Sequence, residues 1–299
     1  MFSQFVLTLG AFSPFITFSS AAPVDNVHGL VARDLTIDSV SCGTNVGLIT
    51  QELGAARSMA QKGKTLTASS QYYQTIFSTA NKNTPGFELV VQGKYGKLFD
   101  LSADKNKKYT IECKTDACGG TRNAWTDPTQ GIINLCPRWF DNAVKARTVD
   151  IIGECRPGSP NAGKWANLAQ FKGSKAFTLL HEMTHLDYIT GDIPNRARDY
   201  AYQLQGCKDL AAGTAMNEKL CGQGKTCDPI HSIDNADSIA FVVAGEYFSS
   251  MCGKTITTNS DTPMAKDGAP DDQDNIHVVY VVPVPVSKRD PPAAEATAI

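Results

Sequence analysis

Ser174-Lys-Ala-Phe-Thr-Leu-Leu-His-Glu-Met-Thr-His-Leu-Asp-Tyr-Ile189 is the stretch whose periodicity and chemistry decide the rest. It contains no Pro and no Gly and follows Gly173. It opens on Ser174, whose hydroxyl can accept from the first unsatisfied N–H groups of a helix. Ala176, Phe177, Leu179, Leu180, Met183, Leu186 and Ile189 make it apolar on most sides, so it reads as a helix over about 174–190, buried beneath a cleft. His181 and His185 are four apart, one above the other at 3.6 residues per turn, so both imidazoles can reach one ion. Glu182 is offset by about 100°, close enough to act on a water without being a ligand. A solvated histidine pair on an ordinary helix would not explain titrating groups in so apolar a segment, where unsatisfied polar groups are costly.

Two nitrogen ligands and a water leave one protein ligand to find. Positions 188 and 191 are Tyr188 and Gly191, and no His follows until His231, so the third ligand is expected to be acidic. Asp187 would point away in a continuous helix. Asp192 sits in the Gly191-Asp192-Ile193-Pro194 turn. Asp199 would open a second helix, Asp199-Tyr-Ala-Tyr202, with a carboxylate and a phenol three apart on one face. Glu246 lies in the last helical stretch. At this level Asp192, Asp199 and Glu246 all stay open.

Outward from that centre, Gly47–Lys62 reads as a helix on Ile49, Leu53, Ala56 and Met59, and a second helix is expected near Gln71–Ala80. Residues 85–136 read as β-rich, with strands at Tyr109–Cys113 and Gly131–Cys136. Helices are expected at about 174–190, 197–212 and 235–250. Strands segregated from helices imply an α+β fold, with a small N-terminal helix and antiparallel-strand part and a mainly helical C-terminal part. Past Cys252 the chain is rich in Thr, Ser, Asp and Pro and reads as a tail over 253–299. It carries the apolar run Ile276–Val286, able to add an edge strand, and the dibasic pair Lys288-Arg289.

The N-terminus reads as an export signal over 1–21: an apolar stretch from Phe5 to Phe18, then small residues ending at Ala21, without a basic start. A short polar segment, 22–41, containing Arg33, is expected to be a pro-piece, and 42–252 the folded domain. Nine cysteines in 299 residues fit an oxidising compartment, and the odd number leaves one thiol over. A net charge of −2 recommends neither a nucleic-acid partner nor an anionic membrane.

Taken together, Thr178–His185, Gly131–Cys136 and Asn235-Ala-Asp-Ser238 before Cys252 resemble the deuterolysin, or aspzincin, family of secreted fungal zinc peptidases, over roughly Cys42–Cys252. The resemblance implies a zincin-like, disulfide-stapled fold with Zn2+ held by His181, His185 and Asp199. It implies Glu182 as general base and Tyr202 as donor to the developing oxyanion. It also implies disulfides Cys42–Cys113, Cys118–Cys136 and Cys155–Cys252; Cys207, Cys221 and Cys227 are additional to that pattern, and one pair among them is expected. The strand Gly131–Leu135 would be the edge along which an extended substrate lies. Two departures stand out: Arg196-Ala197-Arg198 replaces the family's Gly-Thr-x, and Gln203 replaces its final Gly. The expected activity is hydrolysis of internal peptide bonds in protein or peptide substrates by a secreted monomer. The rival reading is a secreted zinc-binding protein that cleaves nothing, and a third is a purely structural cysteine-rich module.

Overall fold

The structure, a computed structural model, describes residues 35–100, 108–116, 118–187 and 196–259. The expected export signal, Arg33, Asp192, Ile276–Val286 and Lys288-Arg289 lie outside them. In chain order the elements are β1 (Leu35–Ile37), α1 (Ser39–Cys42), α2 (Val46–Gly63), α3 (Gln71–Ile76), α4 (Thr79–Lys82), α5 (Phe87–Asp100), β2 (Tyr109–Glu112), β3 (Ala124–Asp127), β4 (Ile132–Leu135), α6 (Pro137–Phe140), α7 (Thr148–Cys155), α8 (Lys175–Thr184), α9 (Gln203–Ala212), α10 (Glu218–Cys221) and α11 (Ala236–Cys252). The class is α+β, as expected, with one small sheet and a helical majority.

The helical core is built on α2, α8 and α11, which pack on one another. In α11, Ile239, Phe241, Val242, Val243 and Phe248 are all buried, so this helix is covered on most sides and sits centrally. Gly245 of α11 lets α3 approach: a Cβ there would lie 2.5 Å from the Tyr72 ring. The Tyr72 hydroxyl bonds Ser249 and donates to the carbonyl of Ile256 at 2.9 Å. Residues 253–259 therefore belong to the fold rather than to the tail, with Ile256 buried and Thr257 N donating to Ala166 O at 2.9 Å.

The sheet departs from the expected antiparallel arrangement. Its order is β1-β2-β4-β3; β1–β2 and β2–β4 are parallel, and only β3–β4 is antiparallel. The cause is the long helical excursion between β1 and β2, which is the crossover that parallel neighbours require. The folded part also includes Leu35–Ile37, ahead of Cys42, because β1 pairs with Tyr109–Ile111. Consequently β4, expected at the edge, is an inner strand, and the edge next to it is β3. The turn between β3 and β4 is set by Asp127, whose carboxylate accepts from Thr129 N and Gln130 N, and by Gly131 at φ 68°.

Two helices lay hidden in the sequence. In α5, Val90, Val91, Gly93 and Gly96 weaken the local helix signal, yet Phe87, Val91, Tyr95 and Leu98 form one buried face. In α7, the buried Glu52 carboxylate of α2 accepts from Thr148 N at 3.0 Å and from its hydroxyl at 2.6 Å, capping the helix from outside. The helix expected over 71–80 breaks at Phe77, because the Ser78 hydroxyl accepts from Asn81 N and starts α4.

Four disulfides join Cys42–Cys113, Cys118–Cys136, Cys155–Cys252 and Cys221–Cys227. The ninth sulfur, Cys207, is a buried thiol that accepts from the Asn235 side-chain amide at 3.5 Å. Four such bridges fit an extracellular protein. No helix among the described residues is long and apolar enough to cross a membrane.

Candidate metal centre

Ser174 caps α8 as expected, its hydroxyl accepting from Phe177 N at 3.0 Å. The helix ends at Thr184, sooner than the sequence predicts, and His185 is its C-cap, with His185 N donating to Glu182 O. His185 keeps helical angles (φ −76°, ψ −13°), so the one-turn spacing of the two histidines survives.

Asp199 was expected to open a helix, and it does not. Residues 196–202 form an irregular segment, and α9 starts only at Gln203 with Tyr202 as its N-cap at φ −111°, ψ 156°. The side chains converge through tertiary placement instead. Arg198 N donates to Asp234 O at 2.8 Å, Ala236 N to Arg198 O at 3.0 Å, and Ala201 N to the Asn235 side chain at 3.0 Å, which lashes this segment to the start of α11.

The result is a close group of two imidazoles and one carboxylate. His181 Nε2 and His185 Nε2 are 3.3 Å apart. Asp199 Oδ1 lies 3.3 Å from His181 Nε2, and Asp199 Oδ2 lies 3.3 Å from His185 Nε2. These separations exceed the roughly 2.7–2.9 Å of a charge-assisted hydrogen bond, and both buried Asp199 oxygens are without a hydrogen-bond partner. The 3.3 Å between the two Nε2 atoms matches the edge of about 3.3–3.4 Å that a tetrahedron around a small cation has when its bonds are about 2.0–2.1 Å. Among the described residues these three form the group able to hold a metal ion. Of the alternatives, Glu246 is not at this site: its charge acts on the hydroxyls of Tyr72 and Tyr95. Asp187 faces Arg196 at 4.0 Å.

The outer contacts orient the rings. His185 Nδ1 lies 3.0 Å from the Ala197 carbonyl, which can only accept, so Nδ1 carries a proton and Nε2 is turned to the Asp199 carboxylate. His181 Nδ1 is held at 2.8 Å by Asp237 Oδ1, in the first turn of α11. Asp237 in turn takes Lys172 Nζ at 2.8 Å and Gln203 N at 2.7 Å on its other oxygen.

Burial by itself would lower the proton affinity of both imidazoles. The carboxylates of Asp199 and Asp237 raise that of His181, and Asp199 with Glu182 brings His185 to about 9. Burial would raise Asp199, but the two imidazoles hold it below the ordinary carboxylate range. Surroundings that favour a proton on these atoms also favour a metal cation there.

Glu182 is buried on the flank of this group. The Thr126 hydroxyl of β3 lies 2.7 Å from its Oε2 and 3.0 Å from its main-chain carbonyl, fixing the side chain beside the edge strand. Tyr202 stands on the Asp199 side. Burial, then the charges of Asp199, Asp237 and Glu182, push its phenol far above the usual range, so it remains a proton donor. Lys172 Nζ lies 5.4 Å from the centre of its ring.

The sequence reading therefore named His181, Glu182, His185, Asp199 and Tyr202, which the fold brings together, but missed the roles of Asp237, Thr126 and Lys172. An acidic residue in the first turn of a mainly apolar helix, within the Asn235-Ala-Asp-Ser238 motif, was the available signal for Asp237. Thr126 and Lys172 carry none. Comparison with protein-family models and with curated proteins finds no match to this chain.

Proposed function

We propose that this chain is a secreted zinc endopeptidase of deuterolysin type, with the metal held by His181, His185 and Asp199. The observation that carries the reading is the convergence of two imidazole Nε2 atoms, 3.3 Å apart, on the buried Asp199 carboxylate, which has one oxygen 3.3 Å from each and no hydrogen-bond partner. Two neutral imidazole nitrogens and one carboxylate oxygen are a donor set suited to zinc, and three protein ligands leave a fourth position for chemistry. When bound, zinc supplies Lewis acidity that polarises a carbonyl and acidifies water.

The chain's own residues do the remainder. Glu182 accepts the proton of the attacking water and returns it to the leaving amine. Thr126 keeps the Glu182 carboxylate from swinging away. Tyr202, kept protonated, donates to the oxyanion of the tetrahedral intermediate, a contribution of roughly 2.7–4 kcal/mol for donors of this kind. Strand β3 pairs only with β4 among the described residues, so its outer edge can take an extended peptide as a further strand, by main-chain hydrogen bonds. Export follows from the N-terminal signal reading and fits the disulfides.

The non-catalytic rival is weakened by Glu182 and Tyr202, neither of which zinc capture needs. The deciding experiment is Glu182→Gln: bound zinc stays at the parental level while casein hydrolysis falls on the order of 10²–10⁴-fold. A variant that digests casein at the parental rate would remove Glu182 from the mechanism.

A further inference from the structure

Asp199 is held in a segment with no helix or strand of its own, so the position of its carboxylate depends on what grips the main chain. One grip comes from Asn235, as described above. The second comes from residues 213–228, an excursion that the family resemblance does not account for, since its cysteines are additional to that pattern. Its ends are brought together by Cys221–Cys227, by Cys227 N donating to Ala215 O at 2.8 Å, and by an antiparallel bridge between Met216 and Thr226. Its inner side forms a small apolar cluster in which Ala215 and Cys227 pack with Tyr200, Ala201 and Leu210. From this closed loop the Asn217 side-chain amide donates to the carbonyls of Asp199 at 2.9 Å and of Tyr200 at 3.3 Å. Its other end, Oδ1, accepts from Leu220 N at 3.1 Å and caps α10.

We infer that Asn217, delivered by the loop that Cys221–Cys227 closes, is a positioning residue for Asp199 and sets how tightly the centre holds its metal. The inference rests on Asp199 being a ligand, as proposed above. One amide bonded to two successive carbonyls prevents the peptide between Asp199 and Tyr200 from turning. Rotation there would swing the carboxylate away from the two imidazoles. Outer contacts of this kind change metal affinity by about 10–100-fold when removed.

The test is Zn2+ affinity of the purified full-length chain, measured by competition with a chelator, beside the melting midpoint of the zinc-stripped protein. Asn217→Asp keeps the oxygen that caps α10 but replaces the donor amide with an acceptor facing two carbonyls. The expected result is a rise in the zinc dissociation constant of about 10–100-fold, with the melting midpoint of the stripped protein nearly unchanged. An unchanged dissociation constant, with or without a fall in melting midpoint, overturns the inference, because a merely structural role would move only the latter. If Asn217→Asp does not fold, the double variant Cys221→Ser/Cys227→Ser carries the test: weaker zinc binding is expected, and parental affinity overturns it. Asp199→Ala separates the two levels of the argument. Should it bind zinc as the parent does, the metal-centre reading falls and this inference with it. Should it lose zinc while Asn217→Asp and the double cysteine variant do not, this inference alone falls.

Discussion

Gln203 is, among the described residues, the one non-glycine with positive φ, at 64°. A side chain in that region costs roughly 1–2 kcal/mol, and such strain persists only where neighbours impose it. Here the neighbour is Asp237, which accepts from Gln203 N at 2.7 Å while also holding His181. The chain must make this bend to bring Tyr202 beside Asp199 and still begin α9 at once. Glycine takes this backbone conformation without that cost. Gln203→Gly is expected to raise unfolding stability by about 1 kcal/mol, read as a higher denaturant midpoint. A lower midpoint would mean that the Gln side chain contributes more than its backbone strain removes.

At the scale of elements, the site depends on how closely α2, α3, α8 and α11 approach. Gly245 is the contact that can be probed most directly. A methyl group there would meet Cδ1 and Cγ of Tyr72 at 2.5 and 2.6 Å, and the ring is pinned by its hydroxyl to Ser249 and Ile256. Gly245→Ala should therefore destabilise by about 1–3 kcal/mol, the usual cost of overfilling a packed core, despite Ala being the better helix former. A denaturant midpoint at or above that of the parent would show that α3 can move off α11 freely. Helix α8 shows a related dependence on its surroundings: it stops at Thr184, and the Asp199 carboxylate that completes the His-His-Asp group comes from a segment with no regular structure.

At the scale of the whole molecule, Lys175 ties the start of α8 to the segment that follows the sheet. Its ammonium is buried and donates to the carbonyls of Trp139 and Lys145. Burial lowers its pKa to about 8, against the opposing pull of the Glu52 and Asp141 carboxylates. In the unfolded chain the value returns to about 10.4. Between those values the unfolded state binds more protons, so this group makes stability rise with pH from about 8 towards 10. Above 10 the buried tyrosines oppose it, since burial raises Tyr72, Tyr73 and Tyr247 and ionisation then favours unfolding. Lys175→Met should flatten the rise between pH 8 and 10 in denaturant titrations. A variant whose stability climbs over that interval as the parent's does would assign the slope to another group.

The sequence by itself determined what is local. The spacing of His181 and His185, the place of Glu182 beside them, the Ser174 cap and the apolar run of α11 follow from helical periodicity, which chain neighbours suffice to express. The family resemblance added three of the disulfides and the choice of Asp199. Only the tertiary structure decided the rest, because it depends on contacts between residues far apart in the chain. Asp199 reaches the histidines although its segment is not helical, since α11 and the Asn217 loop hold its backbone from two sides. Strand β3 rather than β4 became the edge, since β2 takes the far side of β4 across a long crossover. Asp237 became the partner of His181 through packing of α11 on α8, a contact no period of 3.6 or 2 residues encodes.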